Sequence, residues 1–386
     1  MKKLVNLKNF IYLSLVATPL YMVRFSVFGI PENVFELMTI VSIALFFIET
    51  RSSRIELGEY RRYFVPIGLI IGGLIISTIT NGSYAVGFGI IKSWFIVPMV
   101  FAFISAALLK SENSLKTIYI SAFLVACASL VYLFLGKLTY DGRLQGFYNS
   151  PNYLAMFLTP PIIIGLSMFS ENKKYYIVSL ASMAVALYFT FSYAAWIAVA
   201  IALIMTLFLR KKKWLTQGKM LVAMLVILIA VFLQGGTTKM NSLLHKEGRS
   251  SLASRIMIWS AAGKIITDNP VIGIGPGNFQ NKYLEYQKYF PPYLEWAVPE
   301  PHNLVLAFWL QAGMLGLAGF VSLLFLWFRD LRNKKERNIL IICASAMVCI
   351  IAQGLFDTTY FKNDLAVVFW LIFFAAIKNH SEISAE

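Results

Sequence analysis

The sequence predicts an all-α polytopic membrane protein with about twelve transmembrane helices and one large extracytoplasmic loop containing short helices. Three observations predict it. Of the 386 residues 58% are hydrophobic, only 14% are charged, and the apolar residues fall in long uncharged runs. A soluble domain carries roughly 25% charged residues, so this chain has too little polar surface to cover itself in water. About 20 apolar residues at 1.5 Å rise cross the hydrocarbon core. Helices also pair every backbone polar group within the segment, which lipid demands.

Apolar runs between polar breaks place the helices near 10–29, 33–48, 64–80, 92–109, 117–136, 153–169, 176–191, 194–209, 220–235, 303–328, 339–356 and 365–377. The short break Phe191-Ser192-Tyr193 divides 176–191 from 194–209. Residues 1–386 read as a single integral membrane domain, and the Met1-Lys2-Lys3 start leads into a helix that stays rather than a cleaved signal. The formal charge of +15 sits in clusters between apolar segments, such as Arg51, Arg54, Arg61 and Arg62, or Arg210 to Lys213. Charge so placed sets topology and argues against a nucleic-acid partner. Counting Lys and Arg in alternate loops puts both termini in the cytoplasm. Cys127, Cys343 and Cys349 lie inside apolar segments without paired spacing, so they read as small packing residues.

One loop stands apart. Residues 236–301, between the ninth and tenth helices, form an extracytoplasmic segment far longer than an ordinary connection, and long loops are commonly functional. A helix is expected near 251–267. The glycines of Gly273-Ile-Gly-Pro-Gly277 lack the strand–turn–helix setting of a dinucleotide site and read as a turn that folds the loop back.

Chemistry should therefore face outward, where polar residues are few. Arg143 lies among Gly turns just before Asn149-Ser-Pro-Asn152, which starts a helix. Its guanidinium suits bidentate binding of a phosphate, or it snorkels to the interface. Arg255 falls on the loop helix, with Trp259 as an interface anchor. His302 stands where the tenth helix begins, so an imidazole can exchange a proton near neutral pH; the alternative is a His302–Asn303 pair that only caps the helix. Arg24 falls inside the first helix, where it either lines a polar cavity or snorkels. Lys92 begins the fourth helix at the outer interface. Asp357 and Asp364 read as solvated loop charges, and His245 and His380 have no supporting neighbours. No metal signature, Walker A sequence or other cofactor motif is present, so a transfer reaction would need an already activated substrate.

The run Arg143-Leu-Gln-Gly-Phe-Tyr-Asn-Ser-Pro-Asn-Tyr-Leu-Ala155 resembles the Arg-x-x-Gly…Asn-Pro-Asn-x-x-Ala signature of the bacterial O-antigen ligase/polymerase family. From Ser254 to Gly319 the order Arg255, Trp259, Asn269-Pro270, Gly273 to Phe279, His302-Asn303 and Gly313-Met-Leu-Gly316 is similar to that family's shared region. The resemblance implies a metal-independent, inverting membrane glycosyltransferase of GT-C-like fold in the bacterial cytoplasmic membrane. It would use oligosaccharides carried on undecaprenyl diphosphate at the outer face. The donor diphosphate would be gripped at Arg143 and Arg255 with Asn303 beside them, and His302 would be base or leaving-group partner. Its implied partners are that donor, a glycan or lipid acceptor, membrane lipids and a chain-length regulator.

The chain departs from the family at one turn. Members often show Ser-Arg-Gly-Ala between the seventh and eighth helices, and here Tyr193 replaces the arginine. Either Arg24, Lys92 or Arg249 supplies the missing cation, or the diphosphate sits differently, or this chain is a divergent member with altered chemistry. The leading reading is a polymerase of a surface polysaccharide. A ligase that moves the finished glycan to another acceptor differs only in its acceptor. A flippase or secondary transporter is the rival of another class, and it would place its site near the midplane with inverted repeats.

Overall fold

The structure is a computed structural model and describes residues 2–27, 30–49, 58–168, 173–210, 214–235, 240, 251–291, 296–332 and 337–378; His245, Arg249 and His380 lie outside them. The chain is mostly helical. Helices α1 (Lys2–Val16), α2 (Val34–Glu49) and α3 (Phe64–Thr80) come first. Next are α4 (Tyr84–Ile90), a π-helical turn at Ile91–Ile96, α5 (Val97–Leu108), α6 (Ser111–Phe134) and α7 (Pro151–Met168). They lead to α8 (Lys173–Phe189), α9 (Tyr193–Leu209) and α10 (Trp214–Leu233). Two further helices follow, α11 (Ser251–Asp268) and α12 (Phe279–Tyr286), and the chain closes with α13 (Leu304–Leu331), α14 (Arg337–Gly354) and α15 (Asn363–Ile377).

Among the described residues, five helices are long and apolar enough to cross a membrane: Gly58–Thr80, Tyr84–Leu108, Ser111–Phe134, Pro151–Met168 and Leu304–Leu331. Shorter apolar helices lie at Lys174–Phe189, Tyr193–Leu209, Asn338–Gly354 and Asn363–Ile377. Large apolar side chains such as Val65, Phe134, Ile204, Phe208 and Phe325 point outward. An exposed surface of that kind suits hydrocarbon, and the architecture is that of a polytopic membrane protein.

The first expected helix is corrected. Instead of running over 10–29, α1 stops at Val16 and a 3₁₀ turn follows at Thr18–Met22. Pro19 lacks an amide hydrogen to donate and its ring crowds the preceding turn, which favours ending the α-helix before it. Residues Arg24–Val27 then pair antiparallel with Ile30–Asn33, Arg24 opposite Asn33. Arg24 is therefore an exposed strand residue, not a charge within a helix. The Phe191-Ser192-Tyr193 break does divide α8 from α9.

Every residue of α15 is buried. A helix apolar all round belongs at the centre of a bundle, and α15 packs against α5, α6, α7 and α14. On one side α3 lies close against α13. A Cβ on Gly73 would sit 2.4 Å from the Ala312 carbonyl oxygen, so the small residue permits the approach.

Within α13 the regular helix is interrupted at Gly313, whose φ of 66° and ψ of −171° are not helical. The freed backbone groups are taken up by the turn at 271–274. Met314 N–H donates to the Val271 carbonyl at 2.9 Å, and Ile274 N–H donates to the Leu310 carbonyl at 2.7 Å. Asn81 Nδ2 donates to the Gly273 carbonyl at 3.3 Å, and Asn278 Nδ2 to Ser83 Oγ at 3.1 Å. The glycine-rich segment thus folds back onto α3, α4 and α13, which fixes α11 beside the start of α13.

Candidate active site

Five chain segments distant in sequence meet at one end of the bundle. They are the loop before α7, the turn between α8 and α9, α11, the start of α13 and the loop between α14 and α15. Their meeting point is Asp357, which is completely buried. Its Oδ1 receives Arg255 Nη2 at 3.1 Å, Asn152 Nδ2 at 3.3 Å and His302 Nδ1 at 3.3 Å. Its Oδ2 has no hydrogen-bond partner among the described residues.

A buried carboxylate is costly unless its charge is matched. Burial pushes the Asp357 carboxyl up, but the Arg255 guanidinium and the His302 imidazole pull it down more strongly, and the net shift is below the ordinary value. Asp357 is thus held ionised. The sequence reading of Asp357 as a solvated loop charge is overturned by its partners. So is that of Asp364, which is also buried and accepts a hydrogen bond from Tyr148 Oη at 3.0 Å.

Arg143 reaches the cluster through Asn152. Its Nη2 donates to Asn152 Oδ1 at 2.6 Å, and its Nε donates to the Thr190 carbonyl at 2.7 Å. Burial lowers the Arg143 pKa from its usual value, opposed by the charges of Asp141 and Asp357. Two of its donor groups are spent on the protein, so Arg143 orients Asn152 and ties the α7 start to the α8 end. Pro151 opens α7, where its missing amide donor costs nothing.

His302 is delivered by strained backbone. Its φ is 48°, one of two positive values among described non-glycine residues. Asn303 follows in extended conformation and caps α13, its Oδ1 accepting from Val305 N–H at 2.9 Å and Leu306 N–H at 3.0 Å. Asn303 Nδ2 donates to the Leu355 carbonyl at 2.9 Å. The side chain is a cap and a tie to the Asp357 loop at once. Trp259, one turn beyond Arg255 on α11, donates from Nε1 to the His302 carbonyl at 3.3 Å.

A cavity of about 180 Å³ opens beside the cluster. It is lined by Arg255, Asn152, Ser192, Tyr193, Leu252 and Phe356 among others. The start of α9 reaches this cavity, and a helix start favours negative charge. Ser192 Oγ lies there buried, and among the described residues neither it nor Arg255 Nε has a hydrogen-bond partner.

Of the residues singled out in the sequence, Arg143, Arg255, His302 and Asn303 come together. Arg24 and Lys92 do not join them. Lys92 Nζ pairs instead with Glu32 at 2.8 Å and Glu36 at 3.0 Å. Asn152 and Asp357 were not among the sequence candidates. The Asn149-Ser-Pro-Asn152 helix start pointed to the first, whereas no spacing linked Asp357 to its partners.

Fold and site together define a helical membrane protein with an Arg–Asp–His cluster, gathered on the buried carboxylate of Asp357, beside a small cavity. Residues 178–321 match the family model of O-antigen ligase. An O-antigen ligase of Salmonella typhimurium is 30% identical over 172 residues, which span 42% of this chain and 42% of that relative. Both matches support the bacterial O-antigen ligase/polymerase family that the motifs resemble. The family-model match takes in Arg255 and His302, while Arg143 and Asp357 fall outside it.

Proposed function

We propose that the chain is a metal-independent, inverting glycosyltransferase that takes oligosaccharide from an undecaprenyl-diphosphate carrier at the outer face of the bacterial cytoplasmic membrane. The observation that carries this reading is the shared carboxylate: Arg255 and His302 both meet Asp357 Oδ1, at 3.1 Å and 3.3 Å. That arrangement puts a fixed cation and a proton acceptor side by side.

The chemistry follows from those two groups. With Nδ1–H of His302 donating to Asp357, the lone pair of the neutral imidazole lies on Nε2. The acceptor hydroxyl attacks the anomeric carbon as its proton passes to Nε2. The bond from that carbon to the phosphate oxygen breaks, and the electron pair leaves with the diphosphate. A diphosphate leaving group needs positive charge more than covalent help. Arg255 and the α9 start supply it from two walls of the cavity, so no arginine is required at Tyr193. Arg24 and Lys92 take no part.

The acceptor site belongs to the segment 236–301, and the product is a polymerised surface polysaccharide, extended with the help of a chain-length regulator. In this reading about twelve helices span the membrane and both termini lie in the cytoplasm. A second reading, transfer of the finished glycan as a ligase, is favoured by the name of the Salmonella relative. The experiment that separates them is the glycan profile of cells lacking the gene, complemented with the wild type. Loss of long chains while single lipid-linked repeats are still transferred supports polymerisation. Full-length lipid-linked chains that accumulate untransferred support the ligase. An unchanged surface glycan removes both.

A further inference from the structure

We propose that Trp259 is a positioning residue that holds His302 in its working orientation through the His302 carbonyl. The argument starts from the backbone. A non-glycine residue at φ 48° is held there only when its surroundings over-determine it. Four constraints do so. Pro301, on the preceding side, has its φ fixed by its ring. Asn303, on the following side, is locked by its cap and by the Leu355 carbonyl at 2.9 Å. The imidazole is held at Asp357, 3.3 Å away. The fourth is the Trp259 Nε1–H bond to the His302 carbonyl at 3.3 Å.

The placement of Trp259 makes the fourth more than a surface contact. Arg255 and Trp259 are one helical turn apart on α11, hence on the same face. One helix therefore grips Asp357 with the first and His302 with the second. The indole also packs against Phe356, the neighbour of Asp357, with ring centroids 6.1 Å apart. An indole N–H donates and cannot accept, so it specifies which way the carbonyl faces. Without it the 302–303 peptide can rotate, and the ring loses its fixed angle to Asp357 and to the acceptor.

This inference rests on the proposed glycosyl transfer, and the test keeps the two apart. Full-length protein in nanodiscs would be given oligosaccharide–undecaprenyl diphosphate extracted from the gene-deleted cells, serving as both donor and acceptor. Wild type, Trp259→Phe, His302→Ala and the double variant would be compared for turnover, donor KM and melting temperature. Trp259→Phe keeps the ring and deletes the donor. It should lower kcat about 10- to 100-fold, the range for a general base left mis-set rather than removed, with KM within about twofold. In the His302→Ala background the same change should have no further effect, because a residue acting through another loses its effect with that partner. Wild-type kcat in Trp259→Phe would overturn the proposal, as would an equal loss in both backgrounds. A wild type that transfers nothing would overturn the polymerase reading on which this inference rests.

Discussion

His302 Nδ1 lies 3.3 Å from Asp357 Oδ1, and the same oxygen takes Arg255 Nη2 at 3.1 Å. One buried carboxylate thus fixes both the group that can take a proton and the group that can steady a departing phosphate. Its effect on each is testable separately.

Asp357→Asn keeps the shape and removes the charge. His302 then loses its anionic partner, and turnover should fall about 10²- to 10⁴-fold, the range general-base catalysis supplies. Turnover and membrane abundance measured together check this. A variant that remains abundant yet transfers at the wild-type rate would remove Asp357 from the mechanism.

Arg255→Ala should abolish transfer, and Arg255→Lys should restore little. An ammonium cannot reproduce the planar fork that meets Asp357 and a phosphate together. The readout is product formed by membranes containing equal amounts of each variant. Full rescue by lysine would mean that charge alone suffices.

The pH dependence of stability has a definite sign. Asp357 titrates below its ordinary value of 3.8 in the folded protein because the charges of Arg255 and His302 outweigh burial. A carboxylate with a depressed pKa contributes stability that is fully present above its unfolded value and is lost as pH falls through the lower, folded one. The difference in melting temperature between wild type and Asp357→Asn should therefore shrink only in acid, below the ordinary carboxylate range. Melting curves across the acid range check this; a difference already shrinking near neutrality would contradict it.

Gly313→Ala should destabilise the protein without touching the cluster. Its φ of 66° is left-handed, and a Cβ there would lie 2.3 Å from the Val271 carbonyl oxygen. With ψ at −171° the residue occupies a region open essentially to glycine alone, which costs an L-residue about 1–3 kcal/mol, and relieving the overlap must also part the 271–274 turn from α13. The expected result is a lower melting temperature and reduced abundance, with activity per folded molecule retained.

The helical architecture was legible because long apolar runs obey a simple length rule. Where a local feature overrode the run, as Pro19 does in the first segment, composition gave no warning that the chain would leave the helix and form a hairpin with Arg24 at its start. The site was legible in part. Arg143, Arg255 and His302 stood out as lone polar residues beside apolar helices. Asp357 did not, since a single acid in a loop looks solvated until Asn152, Arg255 and His302 are brought to it in space. Lys92 was misjudged for the same reason: its acidic partners, Glu32 and Glu36, lie on another segment.

The central claim is that the Arg255–Asp357–His302 cluster transfers a glycan from a lipid diphosphate. The direct measurement is release of undecaprenyl diphosphate, coupled to growth or transfer of the glycan, by purified wild type and by His302→Ala. The account predicts stoichiometric release and transfer by the wild type and both slowed about 10²- to 10⁴-fold in the variant, with its fold intact. Normal release and transfer by His302→Ala would contradict it.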